Sequence, residues 1–291
     1  MMAPLAALSA AWLANPWLLW GAGPMAAVAA GFFAAAGLLE AAMAAGWLEG
    51  ALIVYPAAGG PPKSRAEGVA EAQAKIPWAK QLKTSAKTVL GPATLANGLS
   101  MVMVMTRAYG WGPLASWWPA SAAAFALQFA AMAFVNDFGL YWGHRLQHES
   151  NFLWRYHRVH HRIGTPTPVS VMSIAQLDAT LQGGLPMALA AAVVRPCPAA
   201  LYAFFFARVA ENTLNHSGLD SPLVDALCLK SLPFRASAAF HDSHHKYSNH
   251  AFNAKNYAES FWVFDWAFGT LSPLVGRPQG AAAAAAAAKA E

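Results

Sequence analysis

The sequence predicts an all-α fold: an integral-membrane helical bundle with a histidine-rich cap on its cytosolic side. Three observations predict it. The chain is 57% hydrophobic and only 11% charged, where a soluble domain carries about a quarter charged residues. Its apolar runs reach the roughly 20 residues that cross a bilayer core. Most of its ten histidines fall in three tight clusters after the third of these runs.

Taken in order, residues 1–20 are apolar but broken by Pro4 and Pro16, and read as an interfacial or re-entrant segment. Residues 25–55, interrupted only by Glu40 and Glu49, are the first secure span. The stretch 56–88 holds Gly59-Gly60-Pro61-Pro62 and the basic residues Lys63, Arg65, Lys75, Lys80, Lys83 and Lys87. It reads as a cytoplasmic loop, because Lys and Arg concentrate on that side of membrane proteins. A second span runs from about Val89 to Met105 and a third from Leu114 to Trp142. The turn between them carries a single Arg and lies on the far side. Residues 174–213 form two apolar segments parted by Arg195-Pro196-Cys197-Pro198, a hairpin through the membrane. The expected organisation is N-terminal membrane segments and a cytosolic loop over 1–70, transmembrane helices over 71–134, a histidine-bearing domain over 135–273 and an Ala-rich, disordered tail over 274–291.

Other classes fit poorly. The net charge of +5 sits beside apolar segments, so it marks topology, and no nucleic-acid partner is expected. Cys197 and Cys228 are too few for a disulfide framework. No charge precedes Glu40, so the start lacks both the basic n-region of a secretory signal and the Arg-rich pattern of a transit peptide.

The clusters are His144-Arg-Leu-Gln-His148, His157-Arg-Val-His160-His161 and His241-Asp-Ser-His244-His245. At this chain's histidine frequency an HxxHH start arises by chance roughly once in 25,000, and here it occurs twice. Residues three and four apart on a helix share a face, so each cluster can aim its imidazoles at one centre. Eight imidazoles exceed what one metal can use, which implies a di-metal site. A structural zinc site would draw on cysteine, and neither Cys is placed for it. A His-rich membrane metal transporter is the alternative from another class, but its histidines should lie at bilayer depth in several spans.

With Asp137-Phe-Gly-Leu-Tyr141-Trp-Gly-His144-Arg145 before them, Asn215-His216-Ser217-Gly218 between them, and Asn256-Tyr257-Ala258 and Asp265-Trp-Ala-Phe268-Gly269-Thr270 after them, these clusters resemble the fatty acid hydroxylase and sterol desaturase superfamily. The likeness covers about residues 135–270. It extends more weakly upstream through Ile76-Pro77-Trp78 and Lys83, where plant-type sterol 4-methyl oxidases stand nearest. The resemblance implies a cytosol-facing centre of two iron ions, bound by the eight cluster histidines and by His216 as a ninth. It implies an O2-dependent hydroxylation or oxidation of a lipid, with 4-methyl sterol oxidation leading, and fatty-acid or sphingoid hydroxylation or sterol desaturation as alternatives. A catalytically silent homologue is the non-enzymatic option. Residence in the endoplasmic reticulum follows from the same likeness. No GxGxxG fingerprint occurs, so electrons from NAD(P)H are expected through a separate b-type cytochrome or reductase.

Several neighbours invite roles. Asp137, Tyr141, His144 and His148 share one helix face. Ligating imidazoles usually donate their second N–H to a carboxylate or carbonyl, which makes Asp137, Glu211 and Asp265 candidates. Asn212, one turn before His216, stands where some relatives place another histidine. It either holds a metal-bound water or bonds at the helix end. His250 reads as a surface residue. Met101, Met103 and Met105 read as lipid-facing filler. Two departures from the family pattern, Gln176-Leu177-Asp178-Ala179 in place of His-Pro-x-Glu and Ala258 in place of Gly, bear on substrate rather than metal.

Overall fold

The computed structural model describes residues 10–47, 55–57, 60–63, 70, 74, 76–163, 166–219, 222–248 and 254–272. The proposed N-terminal residues 1–9, His250 and the Ala-rich tail lie outside them. The fold is helical, and four of its helices are long and apolar enough to cross a membrane.

The first, α1 (Trp17–Ala44), begins earlier than the sequence suggested. Pro16 sits at its N-cap, where a missing N–H costs nothing, so it opens the helix instead of breaking it. Leu19 and Trp20 are consequently buried in the core. After α1, Tyr55–Ala57 (β1) and Gly60–Lys63 (β2) pair as a short antiparallel ribbon within the expected loop.

The loop also ends early. The helix α2 (Trp78–Leu90) turns Gln81, Ser85, Thr88 and Val89 inward and leaves Lys80, Lys83 and Lys87 exposed. Its inner face is polar because it meets polar backbone: Ser85 Oγ donates to the Val169 carbonyl at 2.6 Å. That polarity hid the helix from a hydropathy reading. Pro92, which has no N–H to donate, separates α2 from α3 (Pro92–Tyr109), and the Gln176 side chain accepts the free Ala93 N–H at 3.0 Å.

The helix α4 (Ala122–Glu149) is capped by Ser121, which accepts from Ala124 N. Ser150 ends α4 and, by accepting from Leu153 N, starts α5 (Asn151–His161). This elbow folds the first two histidine clusters against each other. The helix α6 (Gln176–Val194) contains a π-helical stretch, Ala179–Gly184, and α7 spans Pro198–Asn215. These are the two arms of the expected hairpin, but α6 packs chiefly on α4 and α7 on α1. Glycines permit both approaches: a Cβ on Gly31 would lie 2.5 Å from the Phe206 carbonyl oxygen, and one on Gly143 would lie 2.7 Å from that of Leu181. Short helices α8 (Pro222–Leu227), α9 (Ala238–Tyr247) and α10 (Val263–Ala267) close the histidine end.

Apolar side chains cover the outside of the bundle, including Leu38, Leu95, Met103, Leu127 and Val193, as lipid-facing helices require. Met101 and Met105 are buried while Met103 is 61% exposed, so only Met103 fits the lipid-facing reading. Opposite the histidines, Trp12, Trp117 and Tyr202 gather: Trp12 Nε1 donates to Tyr202 Oη at 2.9 Å, and the Trp117 and Tyr202 rings meet edge to face. Such amphipathic rings suit a membrane interface. The chain is an integral membrane protein.

Candidate metal centre

The imidazoles of α4, α5 and α9 converge, as the shared helix faces of the three clusters require. His144, His148, His157, His161 and His244 form one buried group, and His160, His216, His241 and His245 form another, with ligand atoms within 4.8 Å of one another in each. All nine histidines expected to bind metal are therefore brought together. Each HxxHH cluster divides between the groups, because its second and third histidines lie on different sides of their helix.

Four imidazoles have a fixed tautomer. Nδ1 of His144 bonds the Tyr257 carbonyl at 2.7 Å, that of His216 the Asn212 carbonyl at 2.8 Å and that of His244 the Lys255 carbonyl at 2.6 Å. Carbonyls only accept, so each Nδ1 carries the proton. His157 Nδ1 faces the Asp178 carboxylate at 3.1 Å. In all four, Nε2 is left with a lone pair directed inward.

The inward nitrogens lie close together. Nε2 of His157 is 3.1 Å from that of His148 and 3.0 Å from that of His161. In the other group, His216 Nε2 is 3.2 Å from His160 Nε2 and 2.9 Å from His241 Nε2. His144 Nε2 is buried with no partner. A cation answers all of these at once: ligand bonds of about 2.1 Å at right angles put neighbouring nitrogens about 3.0 Å apart. The donor set thus fits two imidazole-bound metal ions.

Burial pushes the imidazole pKa down at His160, His161, His241, His244 and His245, and neighbouring imidazoles push it further. His216 is also lowered by burial, against the opposing effect of Glu259. These rings are held neutral, as metal ligation needs.

None of the three carboxylates expected beside an imidazole touches one. Asp137 accepts the backbone N–H groups of Glu259, Ser260 and Phe261 at 3.1, 2.9 and 2.7 Å. Nor does it pair with Arg145, which bonds Glu149 at 2.7 Å and Tyr141 Oη at 3.0 Å. Asp265 accepts from Tyr257 N and Ala258 N, both at 2.8 Å, and from Thr270 Oγ1 at 2.7 Å. Glu211 pairs with Arg235 and accepts from Ser260 Oγ at 3.0 Å. All three grip residues 257–261, and Tyr257 in turn holds His144. Their influence on the site runs through that backbone. Tyr141 serves the same clasp, its hydroxyl 3.0 Å from Thr270 Oγ1. Asn212 supplies its carbonyl to His216, while its side-chain oxygen is buried and unpartnered.

The carboxylate that does reach an imidazole is Asp178, which is fully buried and also accepts from Gln147 Nε2 at 2.8 Å. Sequence reasoning saw it only as a departure from a family pattern. Its signal was an acid inside an apolar run, costly unless paired.

A narrow cleft runs from this centre into the bundle. Met101, Leu140, Met187, Phe205 and Val209 give it apolar walls, and His160, His216, Arg208 and Glu259 also line it. Arg208 and Glu259 form a buried ion pair.

A family model described as fatty acid hydroxylase matches residues 129–270. A methylsterol monooxygenase of Arabidopsis thaliana is 31% identical over 160 residues, 54% of this chain and 55% of the relative. A very-long-chain aldehyde decarbonylase of Oryza sativa subsp. japonica is 32% identical over 138 residues, 47% of this chain and 48% of the relative. A methylsterol monooxygenase of Gallus gallus is 30% identical over 167 residues, 57% and 52%. The chain spans about half the length of the curated relatives it matches. No solved structure matches it. The segment that the fatty acid hydroxylase model matches is the one that carries all nine converging histidines.

Proposed function

We propose that this protein is a membrane-bound oxidoreductase whose nine histidines would hold two iron ions, which would supply the O2 chemistry for oxidising a lipid C–H bond. The observation that carries the proposal is the pair of buried imidazole groups, one of which opens through His160 and His216 onto a largely apolar cleft. The irons supply O2 activation and electron transfer. The protein's own residues supply placement. Tyr257, Asn212 and Lys255 carbonyls and the Asp178 carboxylate fix ring orientation, and the cleft holds an apolar molecule away from water.

The preferred substrate is a 4-methyl sterol. Relatives named for methylsterols and for very-long-chain aldehydes match at similar identity, so long-chain acyl lipids and aldehydes belong in the same comparison. Electrons come from NAD(P)H through a b-type cytochrome or reductase on the cytosolic face of the endoplasmic reticulum. What supports that route is a second cleft lined by Lys80, Arg158, Arg162 and Trp154, against His161. The Trp154 ring is 5.0 Å from His148 and 5.4 Å from His161.

The test is turnover by purified, iron-loaded protein with a chemical reductant and labelled O2, across 4-methyl sterols, acyl lipids and long-chain aldehydes. Label in a 4-methyl sterol product is expected. Label in no lipid, with two irons bound, would defeat the proposal.

A further inference from the structure

We propose that the cleft contains a recognition subsite for a neutral hydroxyl group carried on an otherwise apolar ligand, formed by Asn136, Arg208 and Asn212. The proposal deepens the lipid-oxidation reading by assigning a substrate class, and rests on that reading only for calling the ligand a substrate.

Besides His160, three side chains with unmet hydrogen-bonding groups line the cleft. Asn136 is 1% exposed, and both its amide oxygen and nitrogen are unpartnered. Arg208 is 4% exposed; one terminal nitrogen engages Glu259 and the other has no partner. The side-chain oxygen of Asn212 is also buried and unpartnered. An unmet buried polar group costs about 1–3 kcal/mol. Several of them converging on one cleft point to a partner.

The pattern of donors and acceptors selects that partner. Arg208 Nη1 and Asn136 Nδ2 donate, while Asn136 Oδ1 and Asn212 Oδ1 accept. A hydroxyl both accepts and donates and so answers both kinds. An ether oxygen only accepts. A carboxylate only accepts and adds charge where Glu259 already neutralises Arg208. The apolar lining of Met101, Leu140, Met187, Phe205 and Val209 takes the apolar remainder.

Sequence spacing sets the subsite beside the metal centre. Arg208, Asn212 and His216 recur every four residues on α7, as Asn136, Leu140 and His144 do on α4, and all but His144 line the cleft. Four residues rise about 6 Å, so the hydroxyl is held one to two helical turns from the histidines.

The experiment reads binding, not turnover. The full-length, metal-loaded chain in phosphatidylcholine nanodiscs is cross-linked by a sixteen-carbon alcohol bearing a mid-chain diazirine. Hexadecanol, hexadecyl methyl ether, hexadecane and palmitate compete at known bilayer mole fractions. Hexadecanol should displace the probe at about tenfold lower mole fraction than the other three, the size of effect expected when buried groups find or lose a partner. In Asn136→Leu that advantage should fall below about threefold while hexadecane competes as before, and Asn136→Ser, which keeps a donor and an acceptor, should retain most of it. Equal competition by hexadecane and hexadecanol in the wild-type chain, or stronger competition by palmitate, would overturn the proposal, and this series needs no variant to fold. Hydroxyl discrimination in a chain that oxidises no lipid would uphold the subsite and count against the oxidation reading instead.

Discussion

Asp178 offers the sharpest perturbation of the site, because its two bonds can be removed separately. Its carboxylate accepts from His157 at 3.1 Å and from Gln147 at 2.8 Å, in full burial. Asp178→Leu removes both bonds. A hydrogen bond to a charged group contributes about 1.5–3 kcal/mol, and losing the partner of a ligating imidazole typically lowers metal affinity about 10–100-fold. The two scales agree, so that range is the expected loss for the five-histidine group. Asp178→Asn should cost far less. Its side-chain oxygen still accepts from His157, and the new N–H₂ meets a Gln147 whose own amide oxygen is buried and unpartnered. Flipping that amide restores the second bond, leaving only the charge, about 1 kcal/mol or fivefold. The assay is metal retention against a graded chelator. Asp178→Leu should release one metal ion early and hold the other as the wild type does. Equal weakening of both ions, or none, would refute the reasoning.

Three further outcomes follow from the same contacts. Metal-stripped protein should lose stability as pH falls below the ordinary histidine value near 6.5. Burial lowers the pKa at His160, His161, His241, His244 and His245, so the unfolded chain takes up protons that the folded one refuses. Each ring contributes up to about 1.4 kcal/mol per pH unit until its folded value is reached, and denaturant midpoints that do not move between pH 7.5 and 5.5 would contradict this. Asp265→Ala strips three bonds from the clasp and should destabilise the fold by about 2–4 kcal/mol; hydrogen exchange should quicken at residues 257–258 before it does elsewhere, and unchanged protection there would count against the clasp. Cysteines introduced at Lys83 and Arg158 should react with an impermeant maleimide from the cytosolic side and one at Gly112 from the other, as the basic residues require; Lys83 and Arg158 labelling from opposite sides would break the topology.

The histidine centre was legible because its information is local. Spacings of three and four within His157–His161 and His241–His245 specify a helix face without reference to the rest of the chain. How the nine histidines divide into five and four depends on the angle between helices, which no spacing encodes. The carboxylates show the same limit. Asp137, Glu211 and Asp265 were recognisable as candidate acids, but Asp137 accepts backbone N–H groups more than a hundred residues away and Glu211 accepts from the Ser260 hydroxyl more than forty residues away. Asp178 escaped notice because its partners, His157 and Gln147, come from separate helices. Boundaries failed where a residue had two uses: Pro16 opens α1 instead of breaking it, and α2 carried polar residues on both faces. The cleft was invisible for a like reason, since Met101 and Met105 alternate with valines in sequence and only the helix sorts them from Met103.

Metal stoichiometry tests the central claim most directly. The purified protein should hold about two iron ions per chain, and each of His244→Ala and His160→Ala, whose ligands belong to different groups, about one. Wild-type protein that stays folded yet binds no iron, or single variants that each keep both ions, would contradict it.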